Sequence, residues 1–389
     1  MKLGIESLIA SLRRKRTFPR IALLSHQAAI LSNGMTTAQA LHATLGSNLV
    51  ALFAPEHGFF GLAGAGVRLP QERHGEWGIP IFSLYGEHRK PTPEMLHGID
   101  VVIVDFQDLA ARCYTYIATL RRMLEAAAES NVAVIVADRP VPLPDTVDGP
   151  MLDDALRCFV ADAPVPMAYG MTPGETALWL QKECLRRKFH ATDKNVYATL
   201  DLTVIPCTGY RRPMTAAAIR ASFSEWIPPS PGIRSLESAQ TYLCTVFTEA
   251  MPAVDCGRAT ALAFRVLGFP DMDAPALCGR LGEPSLPGVA FHPHRYTATG
   301  GRYDGQTING IRISVTDPLR FKPVTTSLHL MRGVQEFKSS GVQNLEITPF
   351  LDSLYGTTSI RHALENDTLL PRHGDHRAFL ASRSRILLY

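Results

Sequence analysis

Short apolar runs alternate with helix-like segments through the first half of the chain, and this alternation limits the possible folds more than any other feature. Five runs of four to six residues begin near residues 20, 49, 79, 101 and 132, and the later ones are rich in β-branched residues. Such runs are typical of buried parallel strands. Residues 114–130, between two of them, place apolar side chains along one helical face. The pattern predicts βαβ units and therefore an α/β fold with an open parallel sheet.

The second half of the chain is less regular. A stretch rich in Pro and Gly at 228–232 indicates an ordered loop or a domain boundary. Residues 310–315 alternate between apolar and polar side chains, which predicts a half-buried strand. Segments 235–248, 327–337 and 357–365 are typical of helices. We therefore predict a catalytic domain over 1–205 and a smaller α+β domain over 206–389 that completes a cleft.

Composition excludes several classes of protein. A net charge of +3 over 389 residues leaves no basic patch of the kind that binds nucleic acid. No apolar run reaches the roughly 18 residues that a membrane-spanning helix requires. Glu6 interrupts the first apolar segment, so no secretory signal is predicted and a cytoplasmic location is expected. The seven cysteines show no C-x-x-C pair, which favours reduced thiols.

Polar side chains follow each of the five predicted strands, at 25–27, 56–58, 85–87, 105–108 and 138–140. Ligands of parallel α/β sheets bind beside the carboxyl ends of the strands, so these groups predict a site for a polar ligand such as a sugar. Glu56 is the strongest candidate. Phe59 and Phe60 follow it closely, and apolar neighbours favour the protonated carboxyl that a general acid needs. The alternative is an ordinary loop carboxylate that caps a helix.

Other candidate residues have structural alternatives that the sequence leaves open. Arg112, Tyr114 and Tyr116 stand where the long helix begins and are candidates for binding hydroxyls or a carboxylate, as is Arg139 after the fifth strand. Packing explains the same tyrosines equally well. Glu175 stands three residues after Thr172, the spacing of a helix capping box.

Glycines at 58, 61, 64 and 66 lack the spacing of a nucleotide-binding loop and instead predict a flexible loop beside Glu56. The histidine pairs at 292/294 and 373/376 have the residue type of metal ligands, but neither belongs to an H-E-x-x-H motif and no further ligand is indicated, so no metal site is predicted.

Eight motifs together resemble the bacterial exo-β-N-acetylmuramidase family, formerly a domain of unknown function. In chain order they are LFAPEHGFFG at 52–61, YG at 85–86 with RKPTPEML at 89–96, DFQD at 105–108 with ARCYTYI at 111–117, DRP at 138–140, DGP at 148–150, GMTPGE at 170–175, PSPG at 229–232 and CGRAT at 256–260. Three positions differ from the residues usual in the family: Asp148 replaces Glu, Gly232 replaces Asn and Ala259 replaces Gly. The resemblance extends from about residue 4 to beyond residue 355.

The resemblance implies a Rossmann-like domain joined to an auxiliary domain, with the active site between them. It implies release of N-acetylmuramic acid from the non-reducing end of peptidoglycan fragments, with a small muropeptide or MurNAc-GlcNAc type of substrate. The glutamate of the family's Pro-Glu-His-Gly motif, a proposed catalytic residue, corresponds to Glu56. Family members are often exported. The resemblance does not indicate an oligomeric state.

We assign Glu56 as the general acid of glycoside hydrolysis, which also requires a second group, normally a carboxylate. Asp148 is the first candidate for that role and Glu175 the reserve. Arg112 or Arg258 is expected to bind the lactyl carboxylate of muramic acid, since a guanidinium matches a carboxylate in two parallel hydrogen bonds.

Tyr114, Tyr116 and His57 are expected to position the sugar, and no metal or organic cofactor is required. The competing hypotheses are a non-catalytic binder of muropeptides and a hydrolase of a related amino sugar.

Overall fold

The computed structural model describes residues 1–186, 200–223, 225–282, 286–339, 345–371 and 374–389. Within these ranges the five apolar runs of the first half form one seven-stranded sheet together with two further strands, at 72–73 and 202–205. Its strands are β1 (Ile21–Ser25), β2 (Leu49–Ala54), β3 (Glu72–Arg73), β4 (Pro80–Ser83), β5 (Val101–Asp105), β6 (Ala133–Ala137) and β7 (Leu202–Ile205). Every strand pair is parallel except β3 with β4. The prediction of an open, mostly parallel sheet is confirmed.

Helices cover both faces of this sheet, and further helices build the second half. The helices of the described chain are α1 (Gly4–Leu12), α2 (Thr37–Leu45), α3 (Pro93–Leu96), α4 (Tyr116–Glu129), α5 (Pro173–Arg186), α6 (Ala216–Ser222), α7 (Leu236–Thr245), α8 (Ala274–Gly282), α9 (Pro323–Ser339), α10 (Phe350–Tyr355), α11 (Ser359–Glu365) and α12 (Arg377–Arg383). Side chains of α1 and α2 share one core with one face of the sheet. Side chains of α4 and α5 pack on the other face, in a core that continues into the second half.

The strand order is β3-β4-β2-β1-β5-β6-β7, so the chain reverses its direction of winding between β1 and β5. In open α/β sheets the ligand crevice forms at such a switch point, beside the carboxyl ends of the strands. Ser25 and Asp105, the last residues of the two central strands, lie opposite each other in the parallel register. The order therefore brings the loops after β1, β2, β4 and β5 to one edge of the sheet.

The second half contains a three-stranded antiparallel sheet in the order β8-β10-β9. Its strands are β8 (Val266–Phe269), β9 (Val289–Thr297) and β10 (Thr307–Val315). The predicted alternation in β10 is confirmed, because Ile311 and Ile313 are buried and the residue between them is not. The fold is thus a Rossmann-like α/β sheet with a smaller α+β unit.

The last helix returns to the first sheet's side of the molecule. The Trp179 indole N–H of α5 donates to Ser382 Oγ at 3.0 Å, and the Tyr389 hydroxyl donates to Asp138 at 2.7 Å. Residues after 376 thus pack on the predicted first domain, although the predicted division assigns them to the second. The division at 205 and 206 stays a prediction.

Candidate active site

A cleft of about 610 Å³ lies at the carboxyl edge of the large sheet, between loops of the first half and residues of the second. The loops after β2, β4 and β5 form one wall. The 230–234 loop, α7 and the segments near residues 249 and 258 form the other. The side chains that matter for its chemistry are Glu56, His57, Tyr85, Tyr114, Thr115, Glu249 and Arg258.

Glu56 stands two residues after β2, is 8% exposed and lines the cleft. The backbone N–H of Gly66 donates to Oε1 at 2.8 Å, and the Thr115 hydroxyl donates to Oε2 at 2.7 Å. One donor belongs to the loop after β2 and the other to the N-terminus of α4. Both oxygens are therefore held by neighbouring elements, which fixes the orientation of the carboxyl.

The loop that follows Glu56 turns through backbone conformations that few side chains tolerate. His57 has φ of +74°, and Gly58 and Gly66 have φ of +82° and +76°. A side chain other than glycine in the left-handed region is uncommon, and strained residues of this kind cluster at functional sites. The glycine-rich stretch thus forms a compact loop that returns the Gly66 N–H to Glu56.

His57 is fixed in one tautomer by the backbone. Its Nδ1 lies 2.9 Å from the carbonyl oxygen of Ala63, and a carbonyl accepts only, so Nδ1 carries the proton. Burial lowers the pKa of His57, and the nearby Arg258 lowers it further, while Glu56 acts in the opposite direction. The neutral ring therefore keeps Nε2 as a hydrogen-bond acceptor, which suits a sugar hydroxyl.

Two tyrosines line the cleft beside Glu56. Burial raises the pKa of Tyr85, and the carboxylates of Glu56 and Glu249 raise it further, so the phenol lies near both acids. Burial also raises the pKa of Tyr114. Tyr114 contributes to the cleft wall, and its hydroxyl is buried beside the hydroxyls of Ser230 and Tyr116.

Arg258 and Glu249 form an ion pair in the opposite wall, with Arg258 Nη2 donating to Glu249 Oε1. The guanidinium also lies over the Phe264 ring, 5.2 Å from its centre. The two side chains are 39% and 29% exposed, so ligand atoms can reach them. The sequence does not identify Glu249 as a site residue, because it stands in no motif and follows a stretch that predicts an ordinary helix. Its position in the cleft lining, paired with Arg258, identifies it as a candidate site residue.

Arg112 and Asp148 lie outside the cleft lining. Arg112 is fully buried, and its guanidinium donates to the carbonyl oxygens of Pro150, Val165 and Tyr355. Asp148 caps α9: its Oδ2 accepts from the backbone N–H groups of residues 324 and 325 at 2.8 and 2.9 Å. Both side chains are occupied by structural contacts that a substrate would have to break.

Glu175 has the contacts of the capping box that its spacing indicates, and it too lies outside the cleft lining. The Thr172 N–H donates to Glu175 Oε2 at 2.9 Å, and the Glu175 N–H donates to the Thr172 hydroxyl at 3.3 Å. Arg212 forms an ion pair with the same buried carboxylate. These contacts support the structural interpretation of Glu175.

Arg139 and Tyr116 also point elsewhere. Arg139 forms a buried ion pair with Asp105 at the ends of β5 and β6, its Nη2 lying 2.9 Å from Oδ2. The Tyr116 hydroxyl donates to the carbonyl of Pro229 at 2.7 Å and so connects α4 to the loop that carries Ser230 into the cleft. Of the nine side chains named from sequence, the structure brings Glu56, His57, Tyr114 and Arg258 together.

Two of the positions that differ from the family's usual residues, Gly232 and Ala259, line this same cleft. Asp148, the third, does not.

Within the described ranges, no three His, Cys, Asp or Glu side chains are grouped so as to hold a metal ion. In the same part of the chain, every helix is too short or too polar to cross a lipid bilayer.

Comparison with known proteins supports one family over nearly the whole chain. Residues 21–237 match the family model "Exo-beta-N-acetylmuramidase NamZ, N-terminal", and residues 240–389 match its C-terminal counterpart. A peptidoglycan beta-N-acetylmuramidase NamZ of Bacillus subtilis (strain 168) is 32% identical over 366 residues, which cover 94% of this chain and 84% of that protein.

Two solved structures of DUF1343 family proteins from Bacteroides fragilis NCTC 9343 are similar in fold. They have TM-scores of 0.86 and 0.70 at 27% and 26% identity, and each comparison covers 100% of this chain and 98% of the other. The fold, the cleft and both family-model matches agree, and the chain belongs to the exo-β-N-acetylmuramidase NamZ family.

Proposed function

We propose that this protein is an exo-acting glycoside hydrolase that releases N-acetylmuramic acid from the non-reducing end of peptidoglycan fragments. The observation that carries the proposal is a carboxyl, Glu56, held by two donors at the inner wall of a cleft shared by both halves of the chain. The volume of about 610 Å³ falls within the roughly 300–1,000 Å³ of small-ligand sites.

Glu56 is the proposed general acid. In glycoside hydrolysis the acid donates its proton to the glycosidic oxygen while the bond to the anomeric carbon breaks. The contacts of Gly66 and Thr115 hold the carboxyl in one orientation, and such preorganisation lowers the cost of reaching the transition state. His57 Nε2 provides an acceptor for a sugar hydroxyl, and Tyr114 forms part of the wall beside it.

Arg258 is the proposed binding group for the lactyl carboxylate that distinguishes muramic acid from glucosamine. Only its Nη2 is engaged by Glu249 among the described contacts, so further N–H groups remain for a second carboxylate. Arg112 is not proposed for this role, since its donors already bind three carbonyl oxygens.

The test uses MurNAc-GlcNAc, whose leaving sugar needs protonation. The wild type should release N-acetylmuramic acid, and Glu56→Gln should reduce kcat by about 100-fold or more. On a 4-nitrophenyl muramide, whose leaving group needs little acid assistance, the same variant should show a smaller loss of kcat. Wild-type protein that binds MurNAc-GlcNAc without cleaving it would instead support the non-catalytic binder.

The choice of sugar is tested with matched substrates. Replacing the muramide by the corresponding N-acetylglucosaminide should raise KM for the wild type, because the carboxylate that Arg258 binds is absent. Arg258→Gln should remove most of this difference. Equal activity of the wild type on both sugars would favour a hydrolase of a related amino sugar.

A further inference from the structure

Glycoside hydrolysis with two carboxyl groups requires a partner for Glu56 on the side of the anomeric carbon. Asp148 and Glu175, the two candidates from sequence, lie outside the cleft lining and are occupied by α9 and by Arg212. Among the side chains that line the cleft in the described structure, the carboxylates are Glu56 and Glu249.

Glu249 is held in place by the backbone on both sides of it. It ends the 3₁₀ turn Val246–Glu249, which continues directly from α7. Val246, Phe247 and Thr248 are buried, and the next residue, Ala250, accepts a hydrogen bond from the N–H of Thr348 at 2.8 Å. A carboxylate at such a position is presented to the cleft by a rigid element, as a catalytic group needs.

Glu249 and Glu56 line the same cleft and have neighbouring side chains in common. Tyr85 contributes to the wall that carries Glu56, and the carboxylates of both glutamates raise the pKa of its phenol. Arg258, the ion-pair partner of Glu249, lies close enough to His57 to lower the pKa of its imidazole. The two acids therefore belong to one site and approach it from different halves of the chain.

The ion pair with Arg258 fixes the position of the Glu249 carboxylate, whose oxygens are the proton acceptors that a general base needs. The side chain is 29% exposed, so a water molecule can reach it.

We propose that Glu249 is the second catalytic carboxylate, an inference that rests on the proposed hydrolase function. The oxygen of a water molecule bonds to the anomeric carbon while Glu249 accepts a proton from that water. The bond from the anomeric carbon to the leaving oxygen breaks, and that oxygen takes the proton of Glu56. Exchange of one proton each with solvent restores both groups.

The experiment measures kcat and KM of Glu249→Gln on MurNAc-GlcNAc and on the 4-nitrophenyl muramide. Glutamine keeps the size of the side chain and an oxygen for Arg258, so the fold should be retained. We expect kcat to fall by about 100-fold or more on both substrates. This differs from Glu56→Gln, whose loss depends on the leaving group.

Azide separates a chemical role from a structural one. In Glu249→Ala, sodium azide can occupy the vacated space and attack the anomeric carbon without giving up a proton, so it should accelerate release of nitrophenol and yield a muramyl azide. If Glu249→Ala were only structurally damaged, azide would not accelerate the release of nitrophenol. If Glu249→Gln fails to fold, Glu249→Asp should show the same loss of kcat, because the shorter side chain withdraws the carboxylate.

The matched control is Glu336→Gln, which breaks a half-exposed pair with Arg280 outside the cleft and should leave kcat unchanged. A Glu249→Gln enzyme with kcat within about threefold of the wild type would overturn this inference and leave the hydrolase proposal standing. A wild type that cleaves neither substrate would overturn both.

Discussion

The role of each buried acidic residue in this protein depends on what its carboxyl oxygens contact. Glu56 and Glu175 are both nearly buried glutamates in predicted motifs, yet one opens into the cleft and the other is enclosed by Arg212 and a capping box. Asp108 is a third buried acid. The Tyr169 hydroxyl donates to its Oδ2 at 2.6 Å, while its Oδ1 has no partner within the described ranges.

Asp108 should make stability depend on pH. Burial raises its pKa to about 6, against about 3.9 when unfolded. Between these values the folded protein keeps a proton that the unfolded chain has released, so the free energy of unfolding should fall as pH rises from 4 to 6 and then level off. Asp108→Asn should reduce this decline by about 1 to 3 kcal/mol, measured by urea unfolding at pH 4.5 and 7.5. Identical declines in both proteins would contradict this account.

Asp148 should matter for stability and not for chemistry. Asp148→Ala removes the acceptor of two N–H groups at the start of α9, which should cost about 1 to 3 kcal/mol in urea unfolding while kcat of the folded enzyme stays the same. Asp148→Asn retains a capping oxygen and should show a smaller decrease in the free energy of unfolding. A large fall in kcat for Asp148→Asn, with stability retained, would return this residue to the catalytic role predicted from sequence.

At the level of elements, the site depends on one tight loop and on the ends of helices. The loop after β2 supplies Glu56 and returns Gly66 to it, and the start of α4 supplies Thr115. The 3₁₀ turn after α7 presents Glu249. Glu56, Thr115 and Glu249 each stand near the point where a regular element begins or ends, because there the chain can turn a side chain toward the cleft.

Gly66→Ala tests the loop. Gly66 has φ of +76° and open space where a Cβ would lie, so alanine meets only backbone strain of about 1 to 2 kcal/mol. Relief of that strain should move the Gly66 N–H away from Glu56 and lower kcat roughly 5- to 30-fold. Gly75→Ala, in a loop outside the cleft with open space and no positive φ, is the matched control. Equal kcat for both variants would count against a role for this N–H.

At the scale of the whole molecule, two halves of the chain share one cleft, and two of the hydrogen bonds between them hold a loop of its wall. The Tyr116 hydroxyl and the Gln27 amide donate to the carbonyls of Pro229 and Pro228, each at 2.7 Å. These contacts hold the loop that forms part of the cleft wall against the edge of the large sheet. Binding of a sugar across the cleft should therefore depend on them.

Tyr116→Phe should weaken substrate binding more than chemistry. The change leaves the Pro229 carbonyl without its donor, a cost of about 1 to 3 kcal/mol. We expect KM for MurNAc-GlcNAc to rise with a smaller effect on kcat, because Glu56 keeps its own contacts. Tyr303→Phe removes a similar bond, from a hydroxyl to the carbonyl of Ala253 at 2.9 Å, outside the cleft lining. A similar rise in KM for the control would refute the specific role of Tyr116.

The sequence by itself determined the parallel sheet and the position of Glu56, since both follow from local rules. Apolar runs specify strands, and the residue after a parallel strand reaches the ligand edge. The same rule named Arg139, but the rule does not show that the Asp105 carboxylate on the neighbouring strand forms an ion pair with its guanidinium.

Tertiary structure alone decided which other polar groups remain available to a ligand. Arg112 binds the carbonyl of residue 355, Asp148 binds the N–H groups of residues 324 and 325, and Glu175 binds Arg212. Glu249 reaches the cleft because the second half of the chain folds against the first. A buried polar group has to find a partner, and partners distant in the chain are set by packing and not by spacing in the sequence.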